Sequence, residues 1–480
     1  MAGRQNAEFS SQFIGFASSV LAQGLPVDAI LSEIARLPRS LRFGRVSGVQ
    51  GLLVEAEGID NVSSVGCRVR IKARDGKDVP AEVVGYRNGH ALLMPFRSLE
   101  GVGVGSKTYV AEEDPYVYPS VAWLGRVVNA MGEPVDGKGP IPRGPQAYAL
   151  RSAPPQAHTR RRVGAKLDLG VRALNTFLTT CKGQRMGIFS GSGVGKSILM
   201  SMLARFTASD VAVIGLIGER GREVQEFIQD NLGAEGLARS VIVVATSDES
   251  ALMRRQAAYL AMTAAEFFRD QGASVLCLMD SVTRFAMAQR EIGLSGGEPP
   301  ASKGYTPTVF SELPKLLERA GTCNGEGSIT GFFTVLVEGD DHNEPISDAV
   351  RGILDGHIVL ERRIAERGRF PAINVLRSVS RTMPNCNTPE ENELVNAARR
   401  HLANYDAMEE MIRLGAYRKG SDAATDEAIH YQPALDAFLA QDRNDYTSLD
   451  DGYARLETIL GNKPAPQPEP AGRLTARAKS

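Results

Sequence analysis

The run Ser190-Gly191-Ser192-Gly193-Val194-Gly195-Lys196-Ser197 constrains this chain more than any other stretch of it. It follows the apolar segment Met186–Phe189 and opens the helix-like stretch Ile198–Phe206. Strand, glycine-rich turn and helix, in that order, are what a phosphate-binding P-loop needs. Glycines let the backbone wrap until successive N–H groups face phosphate oxygens, and the helix N-terminus adds partial positive charge. Lys196 is then expected to reach the β- and γ-phosphates of a nucleotide, and Ser197 to hold Mg²⁺. The strict pattern has glycine where Ser190 stands; a small residue fits the start of the loop. A second glycine-rich run, Gly101–Thr108, puts Ser106 where glycine must precede the lysine, and no helix follows. It reads as a turn.

Nucleotide hydrolysis needs further groups. The apolar run Ser274–Met279 ends in Asp280. A carboxylate at a strand's carboxyl end beside a P-loop is the Walker B arrangement for Mg²⁺. The run Val211–Ile217 ends in Gly218-Glu219-Arg220. Glu219 is a candidate to orient and polarise the attacking water; the competing assignment is a surface ion pair with Arg220 or Arg222. The spreading negative charge of the transition state also calls for a cation from outside the loop, and spacing alone does not choose among the arginines.

The runs Arg185–Ser190, Val211–Ile217, Val241–Ala245, Ser274–Met279 and Gly331–Val337 alternate with helical stretches from about residue 170 to 385. Near-continuous apolarity fits parallel strands covered on both faces, so the expected fold class is α/β. Before this core, short β-type runs (Gly51–Ala56, Val65–Lys72, Ala81–Tyr86, His90–Pro95) alternate with glycine-rich turns and suggest a small barrel or sandwich. Six prolines between 132 and 162 mark a boundary region. Residues 390–461 read as helical, with Leu394, Val395, Ala398 and Leu402 on one stripe and Met408, Met411 and Ile412 following. Phe9, Phe13, Phe16 and Val20 give residues 9–37 a helical stripe as well, a docked helix or a partner-binding arm. The proline-rich tail from Lys463 is expected to be disordered. The expected division is therefore 1–40, 41–115, 116–385, 386–462 and 463–480.

Composition narrows the function. Over 480 residues, 55 Lys+Arg against 56 Asp+Glu leave a formal charge of −1, with no electrostatic footprint for general nucleic-acid binding. Five cysteines (67, 181, 277, 323, 386), never spaced CxxC, argue against a disulfide framework and fit a reducing compartment. The longest apolar runs fall well short of the ~20 residues of a membrane span, and no signal pattern opens the chain.

With these residues in view, a resemblance emerges. Gly191–Ser197 (GSGVGKS), Gly218–Val224 (GERGREV), Asp280–Gly293, Gly297–Gly321 and Pro371–Arg381 (PAINVLRSVSR) resemble the rotary ATPase α/β family, and within it the flagellum-specific export ATPases of type III secretion. Leu124–Ile141 resembles the family's junction between barrel and core. The likeness covers about residues 43–440. It implies an N-terminal β-barrel, a central RecA-like core and a C-terminal helical domain, assembled as a homohexamer with ATP sites between neighbours. Glu219 then matches the catalytic glutamate, Asp280 the Walker B aspartate and Arg381 the arginine finger offered to the next subunit. Phe370 sits where the family places an aromatic against adenine, and Tyr417 is a second candidate for that pocket. With the P-loop, Glu219 and Arg381 in one chain, a ring of identical copies has every part of each site.

The resemblance further implies a cytoplasmic enzyme at the inner-membrane export apparatus, serving a membrane gate with its substrates and chaperones. It implies an elongated dimeric regulator at the N-terminal segment and a stalk-like coiled coil in the ring's hole, faced by the acidic loop Gly339–Pro345. That loop's His342 and carboxylates match no standard metal-site spacing. The alternatives are an injectisome ATPase, an ATP synthase catalytic subunit, against which the export-type segments argue, and an RNA-translocating hexamer. The last needs basic residues and stacking aromatics that residues 43–112 do not offer.

Overall fold

The computed structural model describes residues 42–112, 115–337 and 344–461. The helical stripe of residues 9–37, most of the acidic loop and the tail from Lys463 lie outside the described residues.

Six strands form the N-terminal unit: β1 (Phe43–Gln50), β2 (Leu53–Glu57), β3 (Arg68–Lys72), β4 (Asp78–Arg87), β5 (His90–Pro95) and β6 (Lys107–Glu112). They close in the order β1-β2-β5-β4-β3-β6. Period-two alternation explains the closure: Val69 and Ile71 on β3, and Val79, Ala81 and Val83 on β4, all point into one apolar interior. The run Gly101–Thr108 is the turn that feeds β6, with Gly105 at φ +85°.

A two-stranded ribbon, β7 (Tyr116–Val117) with β9 (Tyr148–Ala149), lies between barrel and core, and β8 (Arg126–Asn129) already belongs to the core sheet. The proline-rich stretch after β8 is thus flanked on both sides by the core rather than dividing two units. The other sheet strands are β10 (Arg185–Ser190), β11 (Val211–Glu219), β12 (Ser240–Thr246), β13 (Ser274–Asp280), β14 (Gly321–Thr322), β15 (Ser328–Leu336), β16 (Gly356–Leu360) and β17 (Val379–Ser380). Their order is β17-β16-β10-β15-β13-β11-β12-β8, with β14 beside β15. Every pairing in that path is parallel except β16–β17. The apolar runs are continuous because both faces are covered. On β11, Val213 and Ile217 join one core and Ala212, Ile214 and Leu216 the other.

The helices that matter here are α1 (Arg172–Phe177), α2 (Lys196–Phe206), α3 (Ala251–Asp270), α4 (Val282–Ser295), α5 (Pro307–Leu317), α6 (Pro345–Ile353), α7 (Pro389–Arg413), α8 (Ala423–Leu439) and α9 (Leu449–Gly461). A capping box between Thr388 and Glu391 starts α7. Val395, Ala398 and Leu402 bury its apolar stripe against the second core, whereas Met411 farther along stays half exposed. None of the described helices is long and apolar enough to cross a membrane.

Buried ion pairs lock the units together. Glu82 of the barrel accepts from Arg151 at 2.5 Å and Arg255 at 2.6 Å. Burial opposes its charge, but the two guanidiniums outweigh that and hold its carboxyl below the usual range. At the other end Arg172 donates to the carbonyls of Phe438 and Ala440.

Candidate active site

Strand β10 ends at Ser190, and helix α2 begins at Lys196. Between them Gly193 (φ +77°) and Gly195 (φ +89°) take the left-handed backbone that the loop's curl requires. Val194 is buried and anchors the loop from beneath, while Ser192 and Gly193 face outward. Gly191 is buried at the loop's start. Ser190 is also buried; its carbonyl accepts from the Val337 amide, and its hydroxyl has no hydrogen-bond partner among the described residues. Ser197 is exposed on the first turn of α2.

Three charged side chains predicted for the site meet in one pocket. Lys196 Nζ donates to Asp280 Oδ1 at 2.5 Å and to Glu219 Oε1 at 3.4 Å. Side-chain exposure is 12% for Lys196, 13% for Glu219 and 5% for Asp280. Burial works against the lysine's charge, but Asp280 and Glu219 prevail and hold its ammonium above the usual value. Burial also pushes the Glu219 carboxyl up to about 7; the negative charge of Asp280 adds to this, and Lys196 opposes it.

Local geometry aims each group. Gly218 (φ +72°) forms a bulge in β11, so Ile217 pairs with Ala245 and Glu219 with Thr246. The bulge re-aims Glu219 towards the lysine. A Cβ at Gly218 would lie 3.0 Å from the Cβ of Arg284. Asp280 is the last residue of β13, and Thr334 on the adjacent strand β15 donates to its Oδ1 at 2.7 Å. The competing assignment for Glu219 has its answer in the same place: Arg220 pairs with Glu223 and Arg222 with Glu226.

Beside the loop lies a cavity of about 340 Å³, walled by Gly195, Ile198, Leu199, Met202, Phe370 and Pro371 and closed by Gln441, Asp442 and Arg443. Phe370 is 45% exposed, and its ring would sit 3.3 Å from a Cβ placed on Gly195. Tyr417 does not line this cavity; its hydroxyl donates within its own domain, to the carbonyl of Asp422 and the carboxylate of Asp426. The C-terminal contribution is the turn after α8 instead, pinned by a bond from the Gln441 amide to the Phe370 carbonyl. Sequence reasoning missed Thr334, Arg362 (which donates to the Ser192 carbonyl at 3.2 Å) and residues 441–443. No local pattern marks them, because each reaches the loop only through strand register or domain docking.

Arg381 stands apart. It is exposed just beyond β17, its Nη2 donates to the Arg351 carbonyl at 3.3 Å, and among the described residues no hydrogen bond or ion pair joins it to Lys196, Glu219 or Asp280.

Comparison with known proteins agrees with this geometry. The nucleotide-binding domain profile of the ATP synthase alpha/beta family matches residues 170–380, and that family's beta-barrel domain profile matches residues 46–109. The T3SS EscN ATPase C-terminal domain profile matches residues 387–458. The flagellum-specific ATP synthase of Caulobacter vibrioides is 59% identical over 438 residues, covering 90% of this chain and 99% of that protein. Its Bacillus subtilis counterpart is 50% identical over 424 residues, covering 88% and 96%. The type 3 secretion system ATPase of Xanthomonas euvesicatoria is 46% identical over 429 residues, covering 89% and 96%. Among solved structures, the assembled ATPase EscN of enteropathogenic E. coli superimposes with a TM-score of 0.80 at 39% identity, over 87% of this chain and 100% of that one. Barrel, P-loop core and helical C-terminal domain thus match end to end, and the chain belongs to the ATP synthase alpha/beta family as an ATPase of its flagellum-specific branch.

Proposed function

We propose that this chain hydrolyses Mg·ATP at interfaces between identical copies in a ring and so drives protein export by the flagellar type III apparatus. The observation that carries the chemistry is the buried contact of Lys196 with both Asp280 and Glu219 at the mouth of the P-loop. An ammonium held by two carboxylates is poised to exchange them for phosphate oxygens. When it does, it grips the β- and γ-phosphates while the amides of Gly191–Gly195 wrap them. Adenine then lies against Phe370 in the adjoining cavity.

The donors Ser197 and Asp280 suit Mg²⁺: both offer hard oxygen, and Asp280 is already braced by Thr334. Bound there, Mg²⁺ neutralises charge on the β- and γ-phosphates. Glu219 accepts a hydrogen bond from the attacking water and draws its lone pair into line with the γ-phosphorus. The low-dielectric pocket that raises its carboxyl also makes its ionised form a stronger acceptor. Arg381, exposed and away from its own site, serves the site of the next copy, where it meets charge that develops on the γ-phosphoryl oxygens.

The solved structure of EscN with its central stalk EscO supports a ring around a coiled-coil stalk for this chain too. A dimeric regulator at residues 1–20, a membrane gate, export substrates and chaperones, and a cytoplasmic place at the inner membrane belong to the same proposal. Identity to flagellar relatives (59% and 50%) above that to the type 3 secretion relative (46%) supports the flagellar machine.

The test is Glu219→Gln. Turnover is expected to fall by at least about 10²-fold while a fluorescent ATP analogue still binds. Near-normal turnover removes Glu219 from the mechanism.

A further inference from the structure

The P-loop strand and the arginine offered to a neighbour share one set of fastenings. Gln184, just before β10, is fully buried. Its Nε2 donates to the Ser380 hydroxyl at 3.0 Å and to the Asp355 carbonyl at 3.2 Å. Its Oε1 accepts from the Thr382 hydroxyl at 3.0 Å. One buried amide therefore grips both residues that flank Arg381. The Asp355 carbonyl also accepts from the Arg381 amide at 2.9 Å.

Asp355 is itself clamped to the first residue of β10. Its carboxylate accepts from the Arg185 amide, Nε and Nη2, each at 3.0 Å, and its amide donates to the Arg185 carbonyl at 2.8 Å. A fork of this kind sets orientation as well as distance. The far end of Arg381 is held by the Arg351 carbonyl, and the Arg351 guanidinium lies 5.1 Å over the ring of Phe189, one residue before Ser190. Both ends of the strand that carries the P-loop thus reach the frame around Arg381. That is more hydrogen bonding than a two-residue edge strand needs, since β17 makes only two register pairs with β16.

We propose that Gln184 and Asp355 are positioning residues for Arg381: they set the guanidinium that one copy presents to the next copy's site and fasten it to the root of the strand bearing that copy's own P-loop. The proposal rests on the reading of Arg381 as acting on a neighbour. A guanidinium displaced by about 1 Å loses much of its effect on a transition state, while ATP held by an intact P-loop is unaffected.

The experiment mixes chains. Gln184→Met and Asp355→Asn are each assayed alone, with an excess of Lys196→Ala chains, and with Arg381→Ala chains, mixing being confirmed by native mass spectrometry. Alone, each variant should lose about fivefold to tenfold in kcat with the KM for ATP within about twofold of the parent. With Lys196→Ala, turnover per variant chain should rise severalfold, because an intact P-loop now meets an intact arginine. With Arg381→Ala it should not rise. Asp355→Asn keeps its volume and its backbone carbonyl, so it carries the test if Gln184→Met does not fold.

Arg381→Ala mixed with Lys196→Ala is the control. If the control recovers activity and the Gln184 and Asp355 variants do not, the two residues serve their own chain's loop and the proposal is overturned. If the control itself fails to recover, the neighbour reading of Arg381 falls, and this proposal falls with it.

Discussion

At the scale of the residue, Glu219 shows what the site costs. Its carboxyl sits near 7 in the fold, chiefly because it is buried, against an ordinary 4.5. Between those values the unfolded chain has released a proton that the folded chain keeps. Folding therefore loses stability as pH rises from about 4.5 to about 7 and levels off above that. Glu219→Gln removes the effect. In thermal melts without nucleotide, the variant should match the parent near pH 4.5 and exceed it increasingly up to pH 7, by about 1–3 kcal/mol. A difference that shrinks as pH rises contradicts a raised Glu219. The glutamate itself was legible in the sequence, because it follows an apolar run and a glycine. That it shares a pocket with Lys196 was legible too; their direct contact at 3.4 Å was not, since the two lie 23 residues apart and the fold of the sheet and α2 sets that distance.

At the scale of the element, the apolar runs marked the central strands well, since each must bury both faces. Their ends moved: β11 runs on through the bulge at Gly218 to Glu219. The short strands β14, β16 and β17 escaped notice because pairing with neighbours, not composition, defines them. Helix packing depends on a polar group that no periodicity reveals. Arg319 is 1% exposed and sends two hydrogen bonds to Glu266 of α3, at 2.8 and 2.6 Å, with others to Leu150 and Thr263. This pair ties the end of α5 to α3 and to the segment after β9. Glu266→Gln should cost about 3–5 kcal/mol in urea unfolding, because it strands a buried guanidinium. The double change Glu266→Leu with Arg319→Met should cost less than the single one. A double change that costs as much as Glu266→Gln or more would show that a stranded guanidinium is not the source of the loss.

At the scale of the whole molecule, one chain is an incomplete enzyme under the proposed function. Arg381 is exposed and tied to Arg351 and Asp355, away from its own lysine. Turnover per chain should therefore rise with protein concentration, in step with particle size measured by light scattering on the same samples. A constant rate per chain across the change from single copies to rings would show that each copy works alone. The barrel takes no part in the pocket. Its buried Glu82, bonded to Arg151 and Arg255, fixes it to the core instead.

The sequence by itself determined the phosphate loop, the α/β core around it and the barrel before it. Those signals are local: a glycine-rich turn, period-two strands and unbroken apolar runs each act within a few residues. Which residues close the cavity beside Phe370, which hydroxyl braces Asp280 and what frames Arg381 were settled only by tertiary structure. Gln441 meets Phe370, and Thr334 meets Asp280, through sheet register and domain docking. Those contacts join residues more than fifty positions apart, and no local propensity encodes a meeting at that separation.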